Sequence, residues 1–183
     1  GSSIIVSTLD GKIYQLDAAS GAVQSWTYDA GVGFVSSPLV LNGTVYVGSF
    51  DRSLYAIPVG AQSPSWRFQA DNWFWAKPVV VGDTLFASCL DGRLYALNAA
   101  TGAPVWSEPF DAGGAIAAPP AVVGDRLVVA TKAGDVHVVS LATGEGVHVP
   151  NLTKEKGATC DAAVVATPVA HEGLVYVRAQ NNV

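Results

Sequence analysis

Short runs of apolar residues alternate with pairs of turn-forming residues along the whole chain. One unit reads "PLVL", the turn "NG", "TVYVGSF", the turn "DR", "SLYAIPV", a glycine-containing turn and "SWRFQA". β-Branched and aromatic residues favour strands, and Asn-Gly and Asp-Gly pairs tolerate the positive φ angles of tight hairpin turns. No window shows a convincing 3.6-residue apolar period, which argues against helices. The pattern predicts four antiparallel strands in each unit of about 40 residues.

The unit repeats at a nearly constant step. Trp26, Trp66 and Trp106 are 40 residues apart, and His148 follows 42 residues after Trp106, in the place of a fourth tryptophan. The prolines at the start of the repeats keep a similar step, and they are Pro38, Pro78, Pro120 and Pro168. Four-stranded antiparallel units repeated in this way are typical of the blades of a β-propeller. The sequence therefore predicts an all-β propeller whose ring is incomplete.

The repeat divides the chain, as a single propeller fragment, into blades whose strands we label A to D from the central channel outward. Strands B to D of a partial blade cover residues 3–29, and strands A and B of another lie within residues 162–183. The complete blades are predicted at residues 32–71, 72–112 and 113–150, with an insertion at 151–161. Since this arrangement has one strand more than four complete blades hold, we expect either self-association or completion of the ring by sequence not present here.

The composition excludes several classes of partner. Half of the residues are hydrophobic, 14% are charged and the formal net charge is −5, so the chain has no basic stripe for nucleic acid or for an anionic membrane surface. Its apolar runs are far shorter than the roughly 20 residues that span a bilayer, which argues against membrane insertion by this segment. The cysteines, Cys89 and Cys160, are too few for a disulfide framework and leave the redox compartment open. The lack of any methionine favours a processed or trimmed piece.

The phrases "NAATGAPVW", "DAASGAVQSW" and "LATGEGVH" occupy equivalent places in three of the repeats. They resemble the tryptophan-docking motif of the PQQ-like, or quinoprotein-type, propeller repeat family, in which alanine, an acidic or amide residue and Thr-Gly precede a tryptophan. The resemblance covers essentially the whole chain and is closest in style to the BamB-like non-catalytic propellers. It implies that Trp26, Trp66 and Trp106 have a structural role and pack between neighbouring blades.

The resemblance implies more than one kind of function. The dehydrogenases of the family hold pyrroloquinoline quinone (PQQ) between a tryptophan and a vicinal disulfide, with calcium on Glu, Asn and Asp side chains, whereas this sequence has no adjacent cysteines. We therefore expect no catalytic residue, no cofactor and no metal, and a non-catalytic scaffold that binds a protein or peptide partner. The expected location is periplasmic or extracellular, with any membrane anchor in a part not present here. The alternatives are a fragment of a PQQ-dependent dehydrogenase and the sensor domain of a bacterial membrane Ser/Thr kinase.

The loop "DNWFWAKP" is the candidate partner-binding site, because it departs from its counterparts in the other repeats. Trp73 and Trp75 stand where the first complete blade has Gly33 and Val35. Phe74 lies between them, and its counterparts in the other repeats are always apolar, which indicates a core position. It is nevertheless included with the two tryptophans as a candidate contact residue. The loop joins an outer D strand to an inner A strand, at the rim of the channel. Paired aromatic residues there favour a protein contact, and the alternative is that they plug the channel or cover a blade.

The remaining polar candidates have ordinary structural interpretations. Asp10, Asp51 and Asp91 occupy equivalent B–C turns, where residues repeated once per blade diverge around a ring and cap turns rather than converge on a metal. The histidines lack metal-ligand spacing, and they are His137, which occupies the column of Tyr14, Tyr55 and Tyr95, His148 and His171. They are predicted to be ordinary strand or surface residues.

Overall fold

A computed structural model describes residues 2–149, 168–171 and 174–177 of the chain, and the regular elements within them are all strands. The insertion predicted at 151–161, which contains Cys160, lies outside these residues. The strands are β1 (Ser3–Ser7), β2 (Lys12–Asp17), β3 (Val23–Asp29), β4 (Leu39–Leu41), β5 (Thr44–Gly48), β6 (Ser53–Pro58), β7 (Trp66–Gln69), β8 (Val79–Val81), β9 (Thr84–Ser88), β10 (Arg93–Asn98), β11 (Phe110–Asp111), β12 (Ala121–Val123), β13 (Arg126–Ala130), β14 (Val136–Ser140), β15 (Gly146–Val149), β16 (Val169–His171) and β17 (Leu174–Tyr176).

The strands form five antiparallel sheets, each built from neighbours in sequence. The first sheet contains β1–β3, the second β4–β7, the third β8–β11, the fourth β12–β15 and the fifth β16–β17. The predicted all-β class, with four-stranded antiparallel units, is confirmed. Within the described ranges β1 pairs with β2 alone, so the inner edge of the first sheet has no strand beside it.

Two kinds of tight turn shape each sheet. Between the A and B strands, Asn42 and Gly43 adopt positive φ angles of 48° and 75° and close the hairpin at the Leu41–Thr44 pair. Between the B and C strands one residue takes a left-handed conformation in each of the first four sheets. This residue is glycine in three sheets, and in the second sheet it is Arg52, with a φ of 67°. Asn-Gly is the residue pair that this hairpin geometry favours, which explains the regular turn positions in the sequence.

The hydrophobic core lies between the sheets and is divided into three clusters, one for each of the first three sheet interfaces. Phe34, Phe74 and Ile116 come from equivalent loops that lead into strand A, and each is buried in a different cluster. Their burial agrees with the always apolar character of this column in the sequence. The repeated unit is therefore a sheet that buries both of its faces against its neighbours.

Trp26, Trp66 and Trp106 each connect one sheet with the next. Each indole Nε1–H donates to a backbone carbonyl of the following sheet, on Ala61 at 2.8 Å, Ala99 at 2.9 Å and Leu141 at 3.0 Å, respectively. A Cβ atom on Gly102 would lie 2.6 Å from the Trp66 ring, and a Cβ atom on Gly144 would lie equally close to the Trp106 ring. The glycine of the Thr-Gly pair thus leaves the space in which the indole lies.

The outer strand of the fourth sheet has no tryptophan. In the second sheet Trp66 lies opposite Ala56. Val138 is the counterpart of Ala56 in the fourth sheet, and the residue opposite it is Val147. His148 lies one place further along and faces His137, as Arg67 faces Tyr55 in the second sheet. By comparison with the second sheet, Val147 takes the tryptophan position. In the third sheet the Asn98 amide donates to the Ala103 carbonyl as the Ser140 amide donates to the Glu145 carbonyl, so by this comparison His148 corresponds to Trp106, as the sequence predicts.

Candidate functional site

The loop between β7 and β8 buries one aromatic residue and exposes another. The Phe74 side chain is fully buried, and its ring makes edge-to-face contacts with Phe68 and Tyr95 at centroid distances of 6.3 and 5.6 Å. Trp75, the next residue, keeps 47% of its surface exposed. Because a fully buried ring cannot touch a partner, Phe74 does not fit the predicted contact role. Phe74 instead fixes the loop to the core, from which Trp75 projects.

Trp73 lies across the tips of two neighbouring B–C turns. Its indole Nε1–H donates to the carbonyl of Phe50 at 3.0 Å, and its ring stands nearly perpendicular to the Phe50 ring at a centroid distance of 5.2 Å. The Trp73 carbonyl accepts a hydrogen bond from the Leu90 amide at 3.0 Å. Trp73 is half-buried, so it covers part of the top of the second sheet and still contributes to the surface.

Two apolar residues that the sequence analysis did not select extend this surface. Phe50 is 39% exposed and Leu9 is 73% exposed, both at the tips of B–C turns. The Leu9 backbone and the Phe50 ring both lie close to Gly33. A Cβ atom added to Gly33 would be 2.1 Å from the Leu9 carbonyl oxygen and 2.9 Å from the Phe50 ring. We call the group formed by Leu9, Phe50, Trp73 and Trp75 the aromatic face.

A sequence signal for Leu9 and Phe50 exists. The residue before the aspartate of the B–C turn is Leu9, Phe50 or Leu90 in the first three sheets. Apolar residues at the tip of a hairpin normally face solvent, so their repetition points to a shared surface. The counterpart in the fourth sheet, Lys132, is exposed and charged, and the apolar row ends there.

Two of the three repeated aspartates, Asp51 and Asp91, cap their own turns, whereas in the first sheet the Lys12 amide donates to Thr8 Oγ1 at 3.0 Å and not to Asp10. Asp51 accepts hydrogen bonds from the Ser53 amide at 3.0 Å and from the Tyr55 hydroxyl at 2.6 Å. Asp91 accepts equivalent bonds from the Arg93 amide at 2.9 Å and from the Tyr95 hydroxyl at 2.7 Å. The pKa values of Tyr55 and Tyr95 are raised, mainly by burial and secondly by the hydrogen bond to the adjacent carboxylate. Asp51 and Asp91 thus cap their own hairpins, and one oxygen of Asp91 also accepts a hydrogen bond from the Asp71 amide at 3.4 Å.

A histidine pair replaces this arrangement in the fourth sheet. His137 is buried and lies against His148, with a centroid distance of 5.2 Å, and against Phe110 at 5.3 Å. Burial and the nearby His148 lower the pKa of His137. His148 Nε2 lies 3.5 Å from Asp135. Across the ranges that the structure covers, no group of three or more His, Cys, Asp or Glu side chains is arranged to hold a metal ion.

Cys89 is a buried thiol rather than a reactive one. Its Sγ–H donates to the carbonyl of Asn72 at 3.2 Å, and burial raises the pKa of the thiol to about 12. The thiolate, which is the nucleophilic form, is therefore strongly disfavoured at neutral pH. Cys89 helps to hold the base of the loop that carries Trp73.

Comparison with known proteins identifies the fold. The family model described as outer membrane protein assembly factor BamB matches residues 1–61 and 61–183. BamB from Moraxella catarrhalis has a similar crystal structure, with a TM-score of 0.77 and 17% identity over 98% of this chain and 52% of that protein. The computationally designed protein Ika8 is similar too, with a TM-score of 0.75 and 13% identity over 98% of this chain and 53% of the design.

These structural similarities show a shared fold, and the chain spans about half the length of both proteins. None of the proteins with curated descriptions matches the chain. In the part that the structure describes, no helix has the length and apolar character needed to cross a membrane.

Proposed function

The chain belongs to the PQQ-like, BamB-type propeller repeat family, and from this membership we propose that it is a non-catalytic scaffold that binds a protein partner through its aromatic face. The proposed setting is extracytoplasmic, in the periplasm, as the family description of an outer membrane protein assembly factor suggests. Any membrane anchor would belong to sequence outside this chain. The proposed ligand is a protein segment with an apolar side chain at its centre.

The exposure of Trp75 is the observation that carries this proposal. A tryptophan side chain has a large apolar area, and leaving nearly half of it in water gives up much of the stabilisation that burial would supply. The counterparts of Trp75 in neighbouring repeats are the smaller Val35 and Ala117, so the repeat itself does not need a tryptophan there. Exposed tryptophans surrounded by other apolar residues are the side chains that most often dominate the affinity of protein interfaces.

The rigidity of the surrounding backbone supports the same role. The amide of Phe50 donates to the Gly33 carbonyl at 2.9 Å, and the amide of Leu90 donates to the Trp73 carbonyl at 3.0 Å. These bonds tie each B–C turn to the adjacent loop that leads into strand A. A partner would therefore meet a surface that is already ordered, and the entropic cost of binding would be small.

Selection of peptides on the intact chain tests the proposal. We expect a phage-displayed library of linear peptides to yield binders that require the two tryptophans. Their affinity should fall about 30-fold or more, equivalent to about 2 kcal/mol, on the variant that combines Trp73→Gly and Trp75→Val. These replacements are the residues found at the equivalent positions 33 and 35.

Val105→Ala is the matched control for this experiment. Val105 has the same exposed fraction as Trp75, 47%, but lies outside the aromatic face. We expect the selected peptides to bind this variant as they bind the wild type. Peptides that bind the double tryptophan variant with unchanged affinity, or a selection that yields no tryptophan-dependent binder, would count against the aromatic face as the binding surface.

A further inference from the structure

The outer strand of the third sheet is interrupted where the second sheet has a regular strand. In the second sheet one residue separates Trp66 from Phe68, and both pair with β6. In the third sheet residues 107–109 separate Trp106 from Phe110. Phe110 pairs with β10 in the same way that Phe68 pairs with β6. Residues 107–109 therefore bulge out of the outer strand.

The interruption leaves one backbone donor of β10 without a partner. The Ala96 carbonyl accepts a hydrogen bond from the Val105 amide at 2.8 Å, on the outer side of β10. In an antiparallel ladder the amide and the carbonyl of one residue point to the same side, so the Ala96 amide also points outward. No group in the described part of the chain accepts from this amide, although Ala96 is only 3% exposed. Its counterpart in the second sheet, Ala56, pairs with Trp66.

A cleft of about 90 Å³ lies at the interruption, between the second and third sheets. Its walls are largely aromatic and proline rings, and these belong to Phe68, Tyr95, Trp106, Pro104 and Pro109. Ala96 and Ser107 also line the cleft. Ser107 is exposed, so the cleft can be reached from solvent. One buried water needs only roughly 10–15 Å³, so the cleft has room for a larger group.

The polar groups of the cleft determine which chemistry fits it. The Tyr95 hydroxyl is already engaged, because it donates to Asp91 at 2.7 Å. The backbone groups of Tyr95 and Leu97 face β9, since they alternate with those of Ala96 along the strand. The group that β10 leaves free in the cleft is thus the Ala96 amide, a donor. A ligand that offers a carbonyl oxygen and no N–H would satisfy this donor without burying one of its own.

From the unpartnered amide, the aromatic walls and the access from solvent, we infer that this cleft binds a proline residue of a partner protein. Proline has a backbone carbonyl but no N–H, and extended proline-rich segments bind in grooves lined by aromatic side chains. The proline ring lies among the aromatic rings of the cleft, and a carbonyl oxygen of the same segment accepts from the Ala96 amide. The cleft and the aromatic face share no residue.

Hydrogen exchange of the free protein tests the first step of the inference. Ala96 and Ala56 are equivalent, buried residues, but the Ala56 amide faces a paired strand. We expect the Ala96 amide to exchange about ten-fold faster or more than the Ala56 amide in a native-state NMR experiment. Equal protection of the two amides would show that the chain itself covers Ala96 and would overturn the inference.

Titration of the isotope-labelled chain with acetyl-Pro-Pro-Pro-amide tests the ligand. We expect a saturable NMR shift of the Ala96 amide and slower exchange of this amide in the complex. Acetyl-Ala-Ala-Ala-amide, which carries N–H groups and lacks the rings, should bind about ten-fold more weakly or worse. The absence of a saturable shift, or equal affinity for the two peptides, would show that the cleft holds only water or adsorbs peptides without selection, and either result would overturn the inference.

A variant that restores a regular outer strand tests the cleft itself. Deleting Ser107 and Glu108 and adding Pro109→Thr leaves one residue between Trp106 and Phe110. The residue is threonine because the first sheet has Trp26-Thr27-Tyr28. We expect this variant to protect the Ala96 amide and to bind the proline peptide about ten-fold more weakly or worse. Unchanged binding would overturn the inference, and a variant that failed to fold would leave the decision to the two experiments on the wild type.

Two control variants complete the test. Glu108→Ala changes an exposed residue of the bulge that does not line the cleft, and it should leave the affinity for the proline peptide unchanged. The variant with Trp73→Gly and Trp75→Val should also bind the peptide as the wild type does, so the cleft and the aromatic face can fail independently. Loss of peptide binding in the double tryptophan variant would place the peptide on the aromatic face and would overturn the assignment to the cleft.

Discussion

Replacing Trp106 with alanine is expected to lower the free energy of unfolding by about 3–5 kcal/mol, the range for truncation of a large aromatic residue in a core. The Trp106 indole is almost fully buried, packs against Phe86 at a centroid distance of 5.5 Å and donates to the Leu141 carbonyl of the next sheet. Alanine would leave a cavity between two sheets and deprive that carbonyl of its donor. Chemical denaturation followed by circular dichroism measures the loss.

The fourth sheet supplies the control for this prediction. Val147 lies in the outer strand of that sheet, opposite Val138, and is 67% exposed. Val147→Ala should therefore change the free energy of unfolding by no more than about 0.5 kcal/mol, as surface substitutions do. If Trp106→Ala were as mild as Val147→Ala, the tryptophans would not hold the sheets together, and the interpretation of the repeated motif as a docking element would be wrong.

Replacing Phe74 with alanine is the second change for which we expect a loss of about 3–5 kcal/mol. Phe74 is fully buried between Phe68 and Tyr95, and the backbone around it is closely packed. A Cβ atom on Gly48 would lie 2.0 Å from the Phe74 carbonyl oxygen and 2.8 Å from the Phe74 Cβ. With so little room for the loop to shift, the cavity left by the ring would not close by collapse.

Trp75→Val is the matched variant, since it truncates the adjacent aromatic residue of the same loop. The valine is the residue at the equivalent position 35, and the side chain that it replaces is 47% exposed. The expected change is about 1 kcal/mol or less in the free energy of unfolding. A Trp75→Val variant as unstable as Phe74→Ala would mean that Trp75 belongs to the core.

The fold class could be predicted from the sequence because the same local signals recur. Hairpin turns such as Asn42-Gly43, and apolar residues such as Phe34 and Phe74, appear at a fixed step, so each repeat supports the assignment of the others. The sequence alone could not fix the tryptophan position of the fourth sheet, because His148 corresponds to Trp106 of the third sheet whereas Val147 corresponds to Trp66 of the second. There the register depends on strand pairing between β14 and β15, which places Val147 opposite Val138.

The candidate site was only partly predictable, because exposure depends on the neighbouring sheet. The sequence selected the loop of Trp73 and Trp75 through its difference from the other repeats. It did not select Leu9 and Phe50, since a single apolar residue before a turn resembles the end of a strand. Only the packing of successive sheets brings the Leu9 carbonyl, the Phe50 ring and the Gly33 backbone together. The full burial of Phe74 likewise depends on contacts with residues from two sheets.

The unfolding free energy of the Trp73→Gly and Trp75→Val double variant tests most directly whether the aromatic face is a surface. Replacing Trp73 removes one hydrogen bond and the ring contact with Phe50, and replacing Trp75 removes little buried area. We therefore predict that the free energy of unfolding stays within about 2 kcal/mol of the wild-type value. Chemical denaturation of the Phe74→Ala variant under the same conditions gives the loss of unfolding free energy that a core truncation causes. A double variant that loses as much stability as Phe74→Ala would contradict the account, because the two tryptophans would then be core residues and not a binding surface.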